Sequence, residues 1–80
     1  MKYYLIKLLT NTEGEDASSV SMHETLDNAL VSYHNILAAY INADDVLYAI
    51  VEIVNERGNL EVMEIVDHRP EPEPPEPEEG

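Results

Sequence analysis

Apolar side chains recur along this chain with two different periods, and the longer period marks one segment. In LDNALVSYHNILAAYI, Leu26, Ala29, Leu30, Tyr33, Ile36, Leu37, Tyr40 and Ile41 fall at the spacing of one face of an α-helix. Asp27, Asn28, Ser32, His34 and Asn35 lie largely between them, so the opposite face is polar, as in a helix lying on a sheet. Thr25 is the expected N-cap and Asn42 the expected stop, with Asp27 placing a carboxylate near the positive end of the helix dipole. At about 1.5 Å per residue the rod is about 24 Å long, enough to cross a small sheet once.

The flanks read as strands. Tyr3 to Thr10 is aromatic and aliphatic and runs into the turn-forming cluster Asn11, Thr12, Glu13, Gly14, Glu15, Asp16. Tyr4, Ile6 and Leu8 form its expected core side, because Lys7 falls on the side shared by Tyr3, Leu5 and Leu9. Ala17 to His23 is a more polar run, expected to return along the first strand as an edge. Beyond the helix, Val46 to Val54 is the strongest strand by its β-branched content, with Leu47, Ala49, Val51 and Ile53 forming one wholly apolar side. Asn55, Glu56, Arg57, Gly58 and Asn59 then suit a tight hairpin with Gly58 in the left-handed position.

Setting Asn55 opposite Asn59 places Val51 across from Met63 and Ala49 across from Ile65 on the side that the helix covers. The other side then holds Tyr48, Ile50, Glu52, Val54, Leu60, Val62, Glu64 and Val66, with Tyr3, Leu5, Lys7 and Leu9 added from the first strand. That side is too apolar to face water, and a single helix covers only one side of a sheet. The predicted fold is therefore α+β, a three- or four-stranded, mainly antiparallel sheet (ββαββ or βαββ) with one helix packed on one face. A homodimer is expected to form through Tyr3, Leu5, Tyr48, Ile50, Val62 and Val66, with Lys7 of one copy near Glu52 or Glu64 of the other.

The domain spans residues 1–69. Residues 70–80, PEPEPPEPEEG, offer no apolar side chain to a core, and their composition predicts a disordered acidic tail. About seventy residues make a marginal core, for which self-association is a common remedy. Five of the 17 acids (Glu71, Glu73, Glu76, Glu78 and Glu79) belong to the tail, which leaves the body at −8 out of a total of −13. A charge of this sign disfavours nucleic acid and anionic membranes as partners and suits a basic protein. The opening MKYYLIKLLT is interrupted by Lys7 and too short to span a bilayer, so a cytoplasmic location is expected.

Candidate chemistry is sparse. Cysteine is absent, and His23, His34 and His68 stand at no ligand or triad spacing. Asp44 and Asp45 lack the further acids and the glycine of a calcium loop. Gly14 and Gly58 belong to separate turns, and no phosphate-cradling loop or nucleophile elbow occurs. These features predict a non-enzyme with no cofactor and no metal.

The MKYY start, the NTEGED turn, the helical segment from Ala29 to Tyr40 and the VEIVNERGN hairpin together resemble the short, uncharacterised proteins encoded in phages and prophages of Gram-positive gut bacteria. The resemblance covers the first sixty-nine residues and implies genomic company, with no catalytic residue to carry over. The expected function is thus a self-associating, non-enzymatic interaction module, an accessory protein of a phage or prophage. The alternative is an acidic inhibitor that imitates nucleic acid towards a host DNA-binding protein.

Overall fold

The computed structural model describes residues 1–69. The expected tail, residues 70–80, lies outside the described residues. Two hairpins flank one helix in the order β1 (Tyr3–Asn11), β2 (Asp16–His23), α1 (Leu26–Ile41), β3 (Val46–Asn55) and β4 (Leu60–Asp67). The strands form one antiparallel sheet in the order β2-β1-β3-β4, with α1 packed on one face, an α+β fold of ββαββ type.

The helix has the bounds that its periodicity predicts. The Thr25 hydroxyl accepts from Asn28 N at 3.1 Å, and Asn42 closes the other end by donating its side-chain Nδ2 to Ala38 O at 2.9 Å. Ala29, Tyr33 and Leu37 form its buried stripe, flanked by the half-buried Leu26, Leu30, Ile36 and Tyr40, whereas Ile41 at the C-terminal end is exposed. Against this stripe the sheet presents Leu5, Val46, Ala49, Val51, Ile53 and Val66. Full burial of side chains this size contributes about 1.5–3 kcal/mol each, which makes this layer the source of the domain's stability.

Both hairpins close with the same device. Asn11 N donates to Glu15 O at 2.9 Å and Gly14 N to Asn11 O at 3.0 Å; Asn55 N donates to Asn59 O at 2.9 Å and Gly58 N to Asn55 O at 2.8 Å. Gly14 and Gly58 take φ of +84° and +83°, the left-handed position of a three-residue loop. Each asparagine side chain finishes its turn: Asn11 Oδ1 accepts from Glu13 N and Glu15 N, and Asn55 Oδ1 from Arg57 N and Asn59 N. With β1 and β3 inner and β2 and β4 outer, a pseudo-two-fold axis normal to the sheet at the Lys7–Val51 pair interchanges the hairpins, superposing Tyr4 on Tyr48 and Ile6 on Ile50.

Three expectations fail: the orientation of β1, the register of β4 and the core position of Leu47 in β3. In β1 the side facing the helix is Tyr3, Leu5 and Leu9, not Tyr4, Ile6 and Leu8, because Leu5 pairs with Ile53 and Leu9 with Ala49 beneath α1. Lys7 is tolerated there, half-buried between Leu5 and Leu9. In the second hairpin, Asn55 does oppose Asn59, but the register then shifts: Val54 pairs with Leu60 and Ile53 with Val62. Glu61 is the extra residue of a β-bulge, so every later side chain of β4 changes face, and Val51 meets Glu64 rather than Met63. A second shift beside Asn11 pairs that residue with Val46 and leaves Leu47 as the extra residue, which puts Val46 in the core while Leu47 is half-buried outside it.

Candidate functional site

Combining the three strand registers places the side chains of the sheet on its two faces. The face away from α1 carries four cross-strand rows: Met22, Tyr4, Val54 and Leu60; Val20, Ile6, Glu52 and Met63; Ser18, Leu8, Ile50 and Ile65; Asp16, Thr10, Tyr48 and Asp67. Three of the four rows are dominated by aliphatic, thioether or aromatic side chains, and nothing among the described residues covers them. Val20 (63% exposed), Met22 (50%), Met63 (44%) and Ile65 (46%) show as much. A contiguous apolar surface of this kind is a candidate interaction site.

The polar groups of the face gather at one end. Arg69 holds Asp67 through two bonds, Nε to Oδ1 at 2.9 Å and Nη2 to Oδ2 at 2.8 Å, and its guanidinium lies 4.4 Å over the Tyr48 ring. The geometry follows from the register, since Asp67 is directly opposite Tyr48 and Arg69 follows two residues later. Hydrogen bonds from Arg69 and its positive charge lower the Asp67 carboxyl to about 2. Beside this pair, Leu8, Leu9, Thr10, Asp16, Ala17, Ser18 and Tyr48 line an open depression of about 390 Å³, in which Thr10 Oγ1 donates to Asp16 Oδ1 at 2.7 Å. Glu52 is the one charged side chain within the apolar rows.

Of the six residues expected at an interface, the structure brings together Tyr48 and Ile50 on this open face. Tyr3, Leu5, Val62 and Val66 are on the opposite side, Leu5 and Val66 buried under α1 and the other two packed against that core. The Glu61 bulge accounts for Val62 and Val66, and the reversed orientation of β1 accounts for Tyr3 and Leu5. Their places on the open face are taken by Tyr4, Ile6, Leu8, Met63 and Ile65. Lys7 and Glu64 likewise lie on the helix side, flanking Val51, so neither can bridge two copies across the open face.

The other titratable residues are dispersed. His23 Nε2 is 3.0 Å from Ser21 Oγ, the His34 ring packs edge-on against Tyr33 with centroids 5.3 Å apart, and His68 Nδ1 is 3.0 Å from Val46 O. The backbone of Asp45 accepts from Thr12 N at 3.0 Å, tying the helix exit to the first hairpin. Among the described residues no three His, Asp or Glu side chains converge as a metal would require. Among the described residues the buried Tyr33 hydroxyl has no hydrogen-bond partner; burial and, secondarily, the charge of Glu64 raise its pKa.

No family model, curated protein or solved structure matches the chain. Among the described residues no helix is long and apolar enough to cross a membrane.

Proposed function

We propose that this protein is a non-enzymatic interaction module that self-associates by packing the open faces of two sheets against each other. The observation that carries the reading is the contrast between the two sides of one sheet, one sealed by α1 and the other equally apolar and open. Four strands at about 4.8 Å spacing and eight residues at about 3.3 Å rise give a footprint of about 500 Å² per copy. Two copies would bury about 1,000 Å², at the lower limit for a specific interface, so the association is weak and reversible. Its role would be accessory, in keeping with the small phage and prophage proteins that the sequence resembles, in the cytoplasm of a host.

Ile50 occupies the third row between Leu8 and Ile65, well inside the face. Ile50→Lys should give a monomer in light scattering after size exclusion, while Asn35→Lys, on the exposed side of α1, should leave the oligomer intact. An Ile50→Lys protein of unchanged mass would overturn the reading.

A second reading is favoured by charge alone, since no Lys or Arg occurs between Lys7 and Arg57. An acidic mimic of nucleic acid would capture a basic host protein, compete with DNA for it and release it as salt rises. Pull-downs at two salt concentrations, with and without DNA, test it; retention insensitive to both removes it.

A further inference from the structure

The two edges of the sheet are not alike. On β4 the regular ladder is broken by the Glu61 bulge, Glu64 adds a charge, and Asp67 is already engaged by Arg69, devices that make an edge a poor template for another strand. Along β2 there is no bulge, no proline and no charged side chain from Ala17 to Met22, and every residue of that stretch is exposed. The bond from Asn11 N to Glu15 O sets the parity of the first hairpin: odd residues of β2 bond to β1. The N–H and C=O groups of Ser18, Val20 and Met22 therefore point outward, unpaired by the sheet.

We propose that the β2 edge is a docking site for an extended, basic segment of a partner protein, which adds a fifth strand to the sheet. Charge selects the occupant. Glu13, Glu15 and Asp16 stand at one end of β2, Glu24 and Asp27 at the other, and the nearest cation, Lys7, is one strand inward on the helix side opposite Ser19. A second copy pairing antiparallel would bring acidic ends against acidic ends. A segment with an apolar centre and a Lys or Arg at each end matches both the backbone and the charges, in either direction. The proposal concerns the edge and is independent of the face-to-face dimer, because packing of the open faces covers side chains of β2 and leaves its outward N–H and C=O groups free.

The test uses the full chain and a fluorescent, capped peptide of alternating threonine and valine with a lysine at each end, as long as the eight residues of β2. Anisotropy should show saturable binding that weakens at least about threefold between roughly 50 and 500 mM salt. Binding should vanish when alternate peptide amides are N-methylated or when the terminal lysines become glutamates. Val20→Pro removes an outward N–H without touching the β1 ladder and should weaken binding about tenfold with an unchanged circular dichroism spectrum. Ile65→Pro, on the other edge, should not. No binding of the lysine peptide, or equal binding of its N-methylated form, overturns the proposal. So does a concentration-dependent oligomer that Val20→Pro abolishes and Ile50→Lys leaves intact, which would assign the edge to a second copy.

Discussion

Tyr33 is the largest side chain in the core and the one with a defect. Its ring fills the space between α1 and the sheet, yet its hydroxyl is buried with no partner among the described residues, which costs about 1–3 kcal/mol relative to a satisfied group. Tyr33→Phe should therefore raise stability by up to about 1 kcal/mol, read from a denaturant midpoint at constant m-value. The raised pKa gives the parent a second signature. Its neutral phenol contributes stability that is present below pH about 10 and lost as pH rises through the folded-state value, and Tyr33→Phe should remove this alkaline sensitivity. At Asp67 the shift is the reverse: an NMR titration should place its midpoint at about 2, and Arg69→Gln should return it towards the ordinary carboxylate range. What the pair adds to stability is present above the ordinary carboxylate pKa and lost as pH falls through about 2. The Tyr33 defect is not legible in sequence, because it depends on what packs around the ring, whereas the partners Asp67 and Arg69 stand only two residues apart.

At the scale of elements, the hairpin loops and the helix are the parts that local chemistry specifies. Asn55 is buried, spends its Oδ1 on two loop amides and donates Nδ2 to Glu61 Oε2 at 2.9 Å. Asn55→Ala should cost about 1–3 kcal/mol in thermal or denaturant unfolding, and Gly58→Ala about 1 kcal/mol from its positive φ. If Asn55→Ala is neutral, the turn is held by the backbone alone. The helix bounds, its cap and the Asn55 to Asn59 closure were legible because each is set within a few residues. The register of β4 was not, because one additional residue, Glu61, reverses every side chain after it, and a charged residue beside a turn carries no mark of a bulge. The orientation of β1 was hidden differently: both of its sides are apolar, and Lys7 pointed to the wrong one. The expected interface therefore mixed two faces, with Tyr48 and Ile50 on the open side and Tyr3, Leu5, Val62 and Val66 beneath the helix.

At the scale of the molecule, one helix serves a sheet with two apolar sides. That imbalance survives the corrected register, since exchanging Val62 and Val66 for Met63 and Ile65 leaves the open face as apolar as before. On the proposed open-face packing Glu52 would oppose association from within it, so Glu52→Leu should tighten the proposed dimer about tenfold or more, measured by dilution in sedimentation or light scattering. In the proposed dimer the small footprint and the net charge of −13 would both limit affinity, and moderate salt should strengthen self-association by screening like-charged copies. The direct test of the central claim is sedimentation velocity of the full chain at tens of micromolar in about 150 mM salt. The open-face account predicts a species of twice the 9.0 kDa chain mass, reduced to the chain mass by Ile50→Lys. A parent protein that sediments at 9.0 kDa throughout this range would contradict it.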